Sequence, residues 1–326
     1  MTPGHGRNPR GPALALAAAV TFALSVPLGK LLLGNLGSFG LAGILYLGAG
    51  IGLSLYRLIA REAHSDAASE SEPPSHASSS VRSLLALVGA TASGGVIAPA
   101  LLFWGLSSLS AASASLLLSL EVVFTVLLAG LLLHEQVTKQ IWVAVALMVA
   151  ASILLSWSGE RLSWSISALA VVGATFFWGL DNNLTREVRG YSAAYIAQVK
   201  GLAAGAVNLL IGVLILHQIP RPLPAMAAAA LGAVSYGLSL VLFVFALRVL
   251  GSARTGTYFS SAPVLAALLS LLLFNERPGW RLVVAFALVV VGTVLMAIER
   301  HVHQHAHGSL THSHAHWPDE QHRHSH

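Results

Sequence analysis

The sequence predicts an all-α membrane protein whose ten transmembrane helices form two inverted five-helix repeats. The chain is 55% apolar and only 10% charged, whereas about 25% of the residues of a typical soluble domain are charged. Its long apolar runs do not alternate with polar residues, which favours membrane-spanning helices over the strands of a barrel. A segment of the first half also recurs in the second half, which predicts the duplication.

The repeat is visible without any gap in the alignment. Leu109–Leu155 and Leu250–Met296 are identical at 15 of 47 positions. The alignment places LLLHE (131–135) over LLFNE (272–276), so Glu135 and Glu276 end two matching apolar runs. A half-chain duplication inside a hydrophobic protein is typical of a transporter or channel bundle, and it argues against an enzyme.

About 20 apolar residues are needed to cross a bilayer, and this rule predicts the ten helices and the domain limits. The first repeat is 12–157 and the second is 166–298. We expect a disordered cytoplasmic loop at 61–82 and a His-rich disordered tail at 299–326, because both are polar. The predicted helices are 12–33, 39–59, 83–106, 110–132, 140–157, 166–185, 192–216, 225–247, 253–274 and 280–298.

The basic residues predict the orientation of the bundle. With the N-terminus in the cytoplasm, twelve of the 18 Lys and Arg residues fall in cytoplasmic segments, four fall outside, and Lys30 and Lys200 lie within helices. Lys and Arg accumulate in cytoplasmic loops, so we expect a multi-pass protein of the cytoplasmic membrane with both termini inside. The pI near 9.9 is explained by these loops, and no nucleic-acid partner is expected. Five helices per half then make the two repeats inverted.

With these features the chain resembles the EamA-type branch of the drug/metabolite transporter superfamily over about 12–298. The resemblance is carried by FALSVPLGKLL (22–32), SASLLLSLEVVFTVLLAGLLLHE (113–135), TFFWGLDNN (175–183) and TGTYFSSAPVLAALLSLLLFNERP (255–278). The first copy departs from the family pattern, since Gln136–Val137 stands where the second copy has Arg277–Pro278. The resemblance implies movement of small organic solutes or metabolites across an inner membrane, often outward, with the substrate left open.

Glu121 is the first candidate for a transport residue. It lies about twelve residues from either end of the fourth predicted helix, close to the bilayer centre at 1.5 Å per residue. A carboxylate there costs at least about 2.5–3.5 kcal/mol to insert, so we expect it to face the bundle interior. It is either a transport residue that takes up a proton or a neutral residue that only packs.

Further polar residues lie within helices or at their ends, and each also has a purely structural explanation. Lys30, one turn after the helix-weakening Pro27, either lines a polar cavity or extends to the lipid headgroups. Lys200 either pairs with Asp181 or reaches the inner interface alone. The substrate-binding and translocation candidates are Glu121, Lys30, Pro27, Asp181, Asn182, Asn183, Lys200, Asn208, Arg254 and Tyr258.

The tail is a candidate metal site. Ten of the fifteen histidines fall within 301–326, and neutral imidazoles are good ligands for Zn and Ni. The tract either binds metal in the cell or only chelates it in solution. No cofactor is required by the sequence, and Zn or Ni binding is expected only here. The metal candidates are His301, His303, His305, His307, His312, His314 and His316.

Three functions from different classes follow. The first is a secondary transporter, expected to be an exporter, that moves a small organic solute by alternating access and is coupled to a proton or another ion. The second is a divalent transition-metal exporter or metal-responsive permease that uses the tail. The third, an intramembrane enzyme, is disfavoured because HExxH, GxSxG and phosphate-loop motifs are absent from the sequence. The expected partners are the lipid bilayer and a small-molecule substrate.

Overall fold

A computed structural model shows the chain as a bundle of helices. It describes residues 10–65, 81–133, 138–157, 165–189, 191–250, 252–298, 301–307 and 310–316. Seven helical segments of this described part are long and apolar enough to cross a membrane. The prediction of an all-α membrane fold is confirmed, while the count of ten crossings stays a prediction.

The α-helices are numbered in chain order. Several long helical rods each consist of two consecutive α-helices that are separated only by a short interruption or a π-helical segment. They are α1 (Arg10–Ala23), α2 (Ser25–Ser65), α3 (Val81–Ala90), α4 (Ala98–Leu106), α5 (Ala111–Leu117), α6 (Leu120–Leu133), α7 (Lys139–Ser156), α8 (Ile166–Arg186), α9 (Ala193–Leu210), α10 (Pro222–Gly232), α11 (Ser239–Leu250), α12 (Ser252–Phe259), α13 (Ala262–Phe274) and α14 (Trp280–Ala297). Three π-helical segments, Thr91–Ile97, Ile211–Ile215 and Ala233–Leu238, continue these rods.

The first two predicted helices are joined without a loop. The helical segment Arg10–Ile59 spans 50 residues, and its chain direction changes at Gly37, whose φ of 68° and ψ of 171° are not helical. Glycine adopts positive φ without steric cost, which allows a reversal at this single position. A smaller interruption at Leu24 separates α1 from α2. It lies three residues before Pro27, which has no backbone N–H to donate and whose ring clashes with the carbonyl of the preceding turn.

The irregular helical segments occur at matching places in the two halves. Leu118 and Ser119 interrupt the rod formed by α5 and α6, and Ser260 and Ser261 interrupt the rod formed by α12 and α13. The shift of 141 residues that aligns the repeats brings these interruptions within one residue of each other. The same shift carries the π-helical segment Thr91–Ile97 onto Ala233–Leu238. Irregular helices at membrane depth are tolerated where protein or a cavity satisfies the backbone.

Several contacts between helices also occur in matching pairs, which are related by exchange of the two halves of the chain. Helix α1 packs against α11, while α8, its counterpart in the second half, packs against α4. Helix α1 also packs against α13, and α8 packs against α6 in the corresponding way. Helix α2 also contacts its counterpart α9, and α7 contacts its counterpart α14. The rod formed by α5 and α6 meets its counterpart, the rod formed by α12 and α13, through α5 and α13. This pattern supports the division into repeats at 12–157 and 166–298, which stays a prediction.

Both predicted disordered segments differ from the structure in part. Residues 61–65 belong to α2 and residues 81–82 belong to α3, so the predicted loop is helical at both ends, and 66–80 lie outside the described residues. In the tail, β1 (His301–His307) and β2 (Leu310–His316) pair as antiparallel strands. The strict alternation of the sequence has the period of a strand. Residues 317–326 lie outside the described part.

Glycines allow α2 to approach its neighbours closely. A Cβ atom on Gly232 of α10 would lie 2.8 Å from the Cα of Leu45, and one on Gly205 of α9 would lie 2.6 Å from the backbone nitrogen of Leu47. The obstacles are backbone atoms, which cannot rotate away. These glycines therefore define the seam where the halves meet, as small residues do in other membrane bundles.

We predict that Gly232→Ala lowers the thermal stability of the full chain in detergent. The added methyl group overpacks a backbone contact, which typically costs about 1–3 kcal/mol. Gly34→Ala is the matched control, because a Cβ atom there meets nothing within 4 Å and alanine stabilises a helix by about 0.5–1 kcal/mol relative to glycine. Equal melting temperatures for the two variants would contradict the close packing described here.

Candidate functional site

A cavity of about 320 Å³ lies between the two halves of the bundle. Its position is given by the residues that line it on α2, α9 and α11. Leu53, Lys200 and Phe243 each lie in the half of their helical rod that is nearer to the end of the bundle where α1 begins. The lining residues are Phe22, Tyr46, Ala49, Leu53, Asp181, Ala197, Lys200, Gly201, Tyr236, Ser239, Leu240, Phe243 and Phe259.

Aromatic rings form a continuous wall around this cavity. Tyr46 and Tyr236 have ring centroids 5.5 Å apart, and Phe22 lies 5.6 Å from Tyr236 and 5.4 Å from Phe259. Phe243 extends the wall with a centroid distance of 5.0 Å to Phe259. Such rings contribute a large apolar surface and prefer these tilted and edge-on geometries. The cavity is therefore suited to an apolar group.

An ion pair interrupts the apolar lining. The Lys200 ammonium donates to both carboxylate oxygens of Asp181, at 2.6 Å for Oδ2. Thr185 Oγ1 donates to Asp181 Oδ1 at 3.0 Å and lies 3.5 Å from Lys200 Nζ. The side chains of Asp181 and Lys200 are 10% and 15% exposed, so both charges are largely desolvated and compensate each other.

A glycine makes room for this carboxylate. A Cβ atom on Gly94, in the π-helical segment Thr91–Ile97, would collide with the carboxylate oxygen Oδ2 of Asp181. The Gly94 carbonyl accepts hydrogen bonds from Tyr46 at 2.8 Å and from Trp178 Nε1 at 2.9 Å. The π-helical segment thus presents its backbone to side chains of two neighbouring helices, α2 and α8, and such segments recur at functional sites.

The predicted pair of Asp181 and Lys200 therefore comes together at the cavity, whereas Glu121 lies elsewhere. Glu121 Oε1 accepts from Asn182 Nδ2 at 3.0 Å, and Asn182 also donates to Thr125 Oγ1 at 3.1 Å. In the part of the chain that the structure describes, the cavity lining does not include Glu121. Adjacent residues on a helix point about 100° apart. Asp181 therefore contacts Lys200 on α9, while Asn182 contacts Glu121 on α6.

The other predicted residues lie outside the described cavity lining, and three of them donate to backbone carbonyls of the bundle. Asn183 Nδ2 donates to the Thr125 carbonyl at 3.0 Å, and Asn208 Nδ2 donates to the Gly95 carbonyl at 2.8 Å. Lys30 donates to the Leu109 carbonyl, at the bundle end remote from Arg10. Arg254 is exposed on α12, and Tyr258 precedes the cavity-lining Phe259. These residues are not among the described residues that line the cavity.

The aromatic wall was not predicted from the sequence. Phe22, Tyr46, Tyr236, Phe243 and Phe259 lie in apolar runs, where an aromatic residue is usual at any position, and nothing in their spacing marks them as neighbours. Phe22 does begin the motif FALSVPLGKLL, and Phe259 lies within TGTYFSSAP. Motif membership was the one available signal for these two rings.

Beyond the cavity, one turn further along α2 and α9, a polar cluster joins these helices. Arg57 donates to Gln198 Oε1, and Gln198 Nε2 donates to Ser54 Oγ at 2.7 Å. The Arg57 guanidinium also lies 5.1 Å from the centroid of the Tyr195 ring, within the range of a cation–π contact. This cluster holds α2 and α9 together next to the cavity-lining Leu53 and Ala197.

Comparison with known proteins identifies the class. The chain belongs to the EamA-like transporter family, whose model matches it twice, at residues 9–157 and 165–298. The predicted resemblance to this branch of the drug/metabolite transporters is confirmed, and with it the expectation that the protein is a membrane transporter and not an enzyme.

Two relatives and one solved structure give more detail. The chain is 27% identical over 269 residues to a protein of Methanothermobacter thermautotrophicus described as an uncharacterized transporter, covering 80% of this chain and 78% of the relative. It is 26% identical over 216 residues to a probable terminal-alkyne amino-acid exporter of Streptantibioticus cattleyicolor, covering 65% and 72%. A crystal structure with 19% identity shares the fold, with a TM-score of 0.59 over 88% of this chain and 98% of the other.

Proposed function

We propose that this protein is a secondary transporter that exports a small organic solute across the cytoplasmic membrane by alternating access, with the cavity as its binding site. The observation that carries the proposal is the cavity itself, because it lies between the halves and combines an aromatic wall with one ion pair. A volume of about 320 Å³ is at the lower end of the range of about 300–1,000 Å³ that is usual for small-molecule sites.

The direction of transport and the orientation of the protein in the membrane are supported by separate observations. The relative described as an exporter supports outward transport. The distribution of Lys and Arg supports cytoplasmic termini, and in that orientation the cavity lies in the cytoplasmic half of the bundle, where a solute bound for export would enter. Exchange of the two halves, whose contacts repeat each other, would give the outward-open state.

We predict that Ala197→Phe abolishes export while the protein still inserts into the membrane. Ala197 lines the cavity on α9, and a benzyl group there occupies the space that a solute needs. Untargeted comparison of the metabolites released by cells that lack or overproduce the protein gives the measurement, and Ala197→Phe is expected to match the cells that lack it.

Ala203→Phe is the matched control for this experiment. Ala203 lies on the same helix with its side chain exposed on the outer face of the bundle, so the same added group should leave release at the wild-type level. Full release by the Ala197→Phe variant would refute the assignment of the cavity as the translocation site.

Coupling is the second part of the proposal, and Glu121 is the residue to which we assign it. Its carboxylate lies in the apolar rod formed by α5 and α6 and is held by Asn182, which directly follows Asp181 on α8. Protonation of Glu121 would change the hydrogen bond that Asn182 donates to it. Helix α8, which carries both Asn182 and Asp181, would transmit this change to the cavity. The acidic residues within membrane helices of transporters commonly have such roles.

Glu121→Gln is expected to reduce metabolite release to a small fraction of the wild-type level at every pH tested. Glutamine keeps the shape and the hydrogen bond to Asn182, but it cannot bind and release a proton. Glu187→Gln serves as the control, because Glu187 pairs with Arg82 at 2.9 Å beyond the end of α8. If Glu121→Gln supports wild-type release, Glu121 has only a packing role.

Metal binding by the tail is a second candidate function, and the register of its strands favours it. The antiparallel pairing places His301 opposite His316, His303 opposite His314, and His305 opposite His312. The register therefore brings histidines of the two strands opposite each other at three positions, and neutral imidazoles are good ligands for Zn and Ni. The tail would then act as a cytoplasmic metal buffer or sensor that is separate from solute transport.

Removal of 299–326 is expected to lower tolerance of Zn or Ni and to leave metabolite release unchanged. Calorimetry of the full chain and of the truncated protein should show binding only in the former, weakening as the pH falls through about 6.5, where free imidazole takes up a proton. Tight binding together with unchanged tolerance would refute the cellular role of the tail.

A further inference from the structure

We propose that the solute is a zwitterion with an apolar group, and that it binds by opening the Asp181–Lys200 ion pair and replacing it with two new pairs. The inference rests on the proposed function, since it assigns the chemistry of the ligand in the same cavity. In the structure the Lys200 ammonium occupies the position beside Asp181 that the ammonium of the ligand takes.

The other polar groups of the lining are already engaged. The Tyr46 hydroxyl donates to the Gly94 carbonyl at 2.8 Å, and Ser239 Oγ donates to the Ala18 carbonyl at 2.8 Å. The Tyr236 hydroxyl is hydrogen-bonded with Ser25. In the described lining, Asp181 and Lys200 are therefore the groups available to compensate a charge on a ligand.

The neutrality of the pair selects which ligands can use it. A ligand with a single charge would bind one partner and leave the other buried without compensation, and breaking a buried pair in this way is strongly unfavourable. A zwitterion compensates both, because its ammonium bonds to Asp181 and its carboxylate bonds to Lys200. The number of opposite-charge contacts then rises from one to two.

The geometry of the two side chains allows this exchange. Lys200 is on α9 and carries its ammonium on a flexible four-carbon stem, so it can withdraw from Asp181 without movement of the helix. Asp181 is fixed on α8 by the Thr185 hydroxyl at 3.0 Å and by the close approach of Gly94. The aromatic wall of Phe22, Tyr236 and Phe259 receives the apolar group of the ligand.

Matched ligands with the same apolar group test this inference on the purified full-length protein. We use L-phenylalanine, 2-phenylethylamine, which lacks the carboxylate, and 3-phenylpropionate, which lacks the ammonium, with the leucine series as a second set. Binding is measured by calorimetry and by thermal stabilisation. Wild-type protein is expected to bind the amino acid about tenfold to a hundredfold more tightly than either analogue, as one charge-assisted hydrogen-bonding group would give.

Two single variants should shift this preference in opposite directions. Lys200→Met leaves Asp181 unpaired, so the amine should bind at least as tightly as the amino acid. Asp181→Asn leaves Lys200 unpaired, so the acid should gain in the same way. The double variant Asp181→Asn/Lys200→Gln is again uncharged and should lose the preference for the amino acid, which keeps the test valid if a single variant does not fold.

The outcomes separate this inference from the proposed function. The zwitterion inference is wrong if wild-type protein binds the amine or the acid as tightly as the amino acid. It is equally wrong if both single variants weaken all three ligands to the same extent, since that is the effect of a purely structural pair. The proposed function fails instead if Ala197→Phe leaves metabolite release intact, and that result does not depend on the ligand series.

Discussion

The ion pair between Asp181 and Lys200 is the interaction on which the architecture of the site depends. Two charges at membrane depth are tolerated only when they compensate each other and are shielded from lipid. Helices α8 and α9 supply the charges, and the adjoining π-helical segment supplies the glycine that admits the carboxylate. Rings from α1, α2, α12 and the rod containing α11 cover the remaining sides. The cavity is thus the space that these shielding residues leave around the pair.

The two ends of the bundle are packed differently, and the difference gives the cavity its sidedness. Toward the bundle end remote from Arg10, backbone meets backbone where Gly205 lies against Leu47 and Gly43 lies against Leu209. Toward the other end, the contact between α2 and α9 passes to side chains, in the cluster of Arg57 and Gln198. Side-chain contacts of this kind can break and re-form, whereas the glycine seam fills its space completely. In the proposed alternating access, the halves would exchange these two kinds of contact.

Much of the fold could be predicted from the sequence because the bilayer imposes a length on each apolar run. The predicted limits 280–298 and 166–185 lie close to those of α14 and α8. The interruptions at Leu118–Ser119 and at Ser260–Ser261 could not be predicted, because they replace one set of backbone hydrogen bonds with another and leave the apolar pattern unchanged. The turn between the first two helices was predicted within 34–38, but its restriction to Gly37 was not, since one glycine among many gives no signal of its backbone angles.

Within the candidate site, only the charged residues could be predicted from the sequence, because charges are rare in the apolar helices. Asp181 and Lys200 stood out because an ionisable residue inside an apolar run must have a partner, and the sequence offered few choices. The aromatic wall gave no such signal, since aromatic residues are common in any membrane helix and their meeting depends on helix rotation. Glu121 shows the limit of arguments from depth alone. Its position near the middle of a helix was evident, yet the neighbour that it bonds, Asn182, is set by the packing of α6 on α8.

In the proposed mechanism the cavity between the two halves is open to the cytoplasm, and site-specific labelling tests this most directly. The chain has no cysteine, so a single introduced thiol can be followed without background. We compare Leu240→Cys, which lines the cavity, with Leu238→Cys, which is exposed on the outer face of the same rod. A charged, membrane-impermeant maleimide should label Leu240→Cys from the cytoplasmic face alone and should leave Leu238→Cys unlabelled from both faces. Labelling of Leu240→Cys only from the outside, or from neither face, would contradict the account.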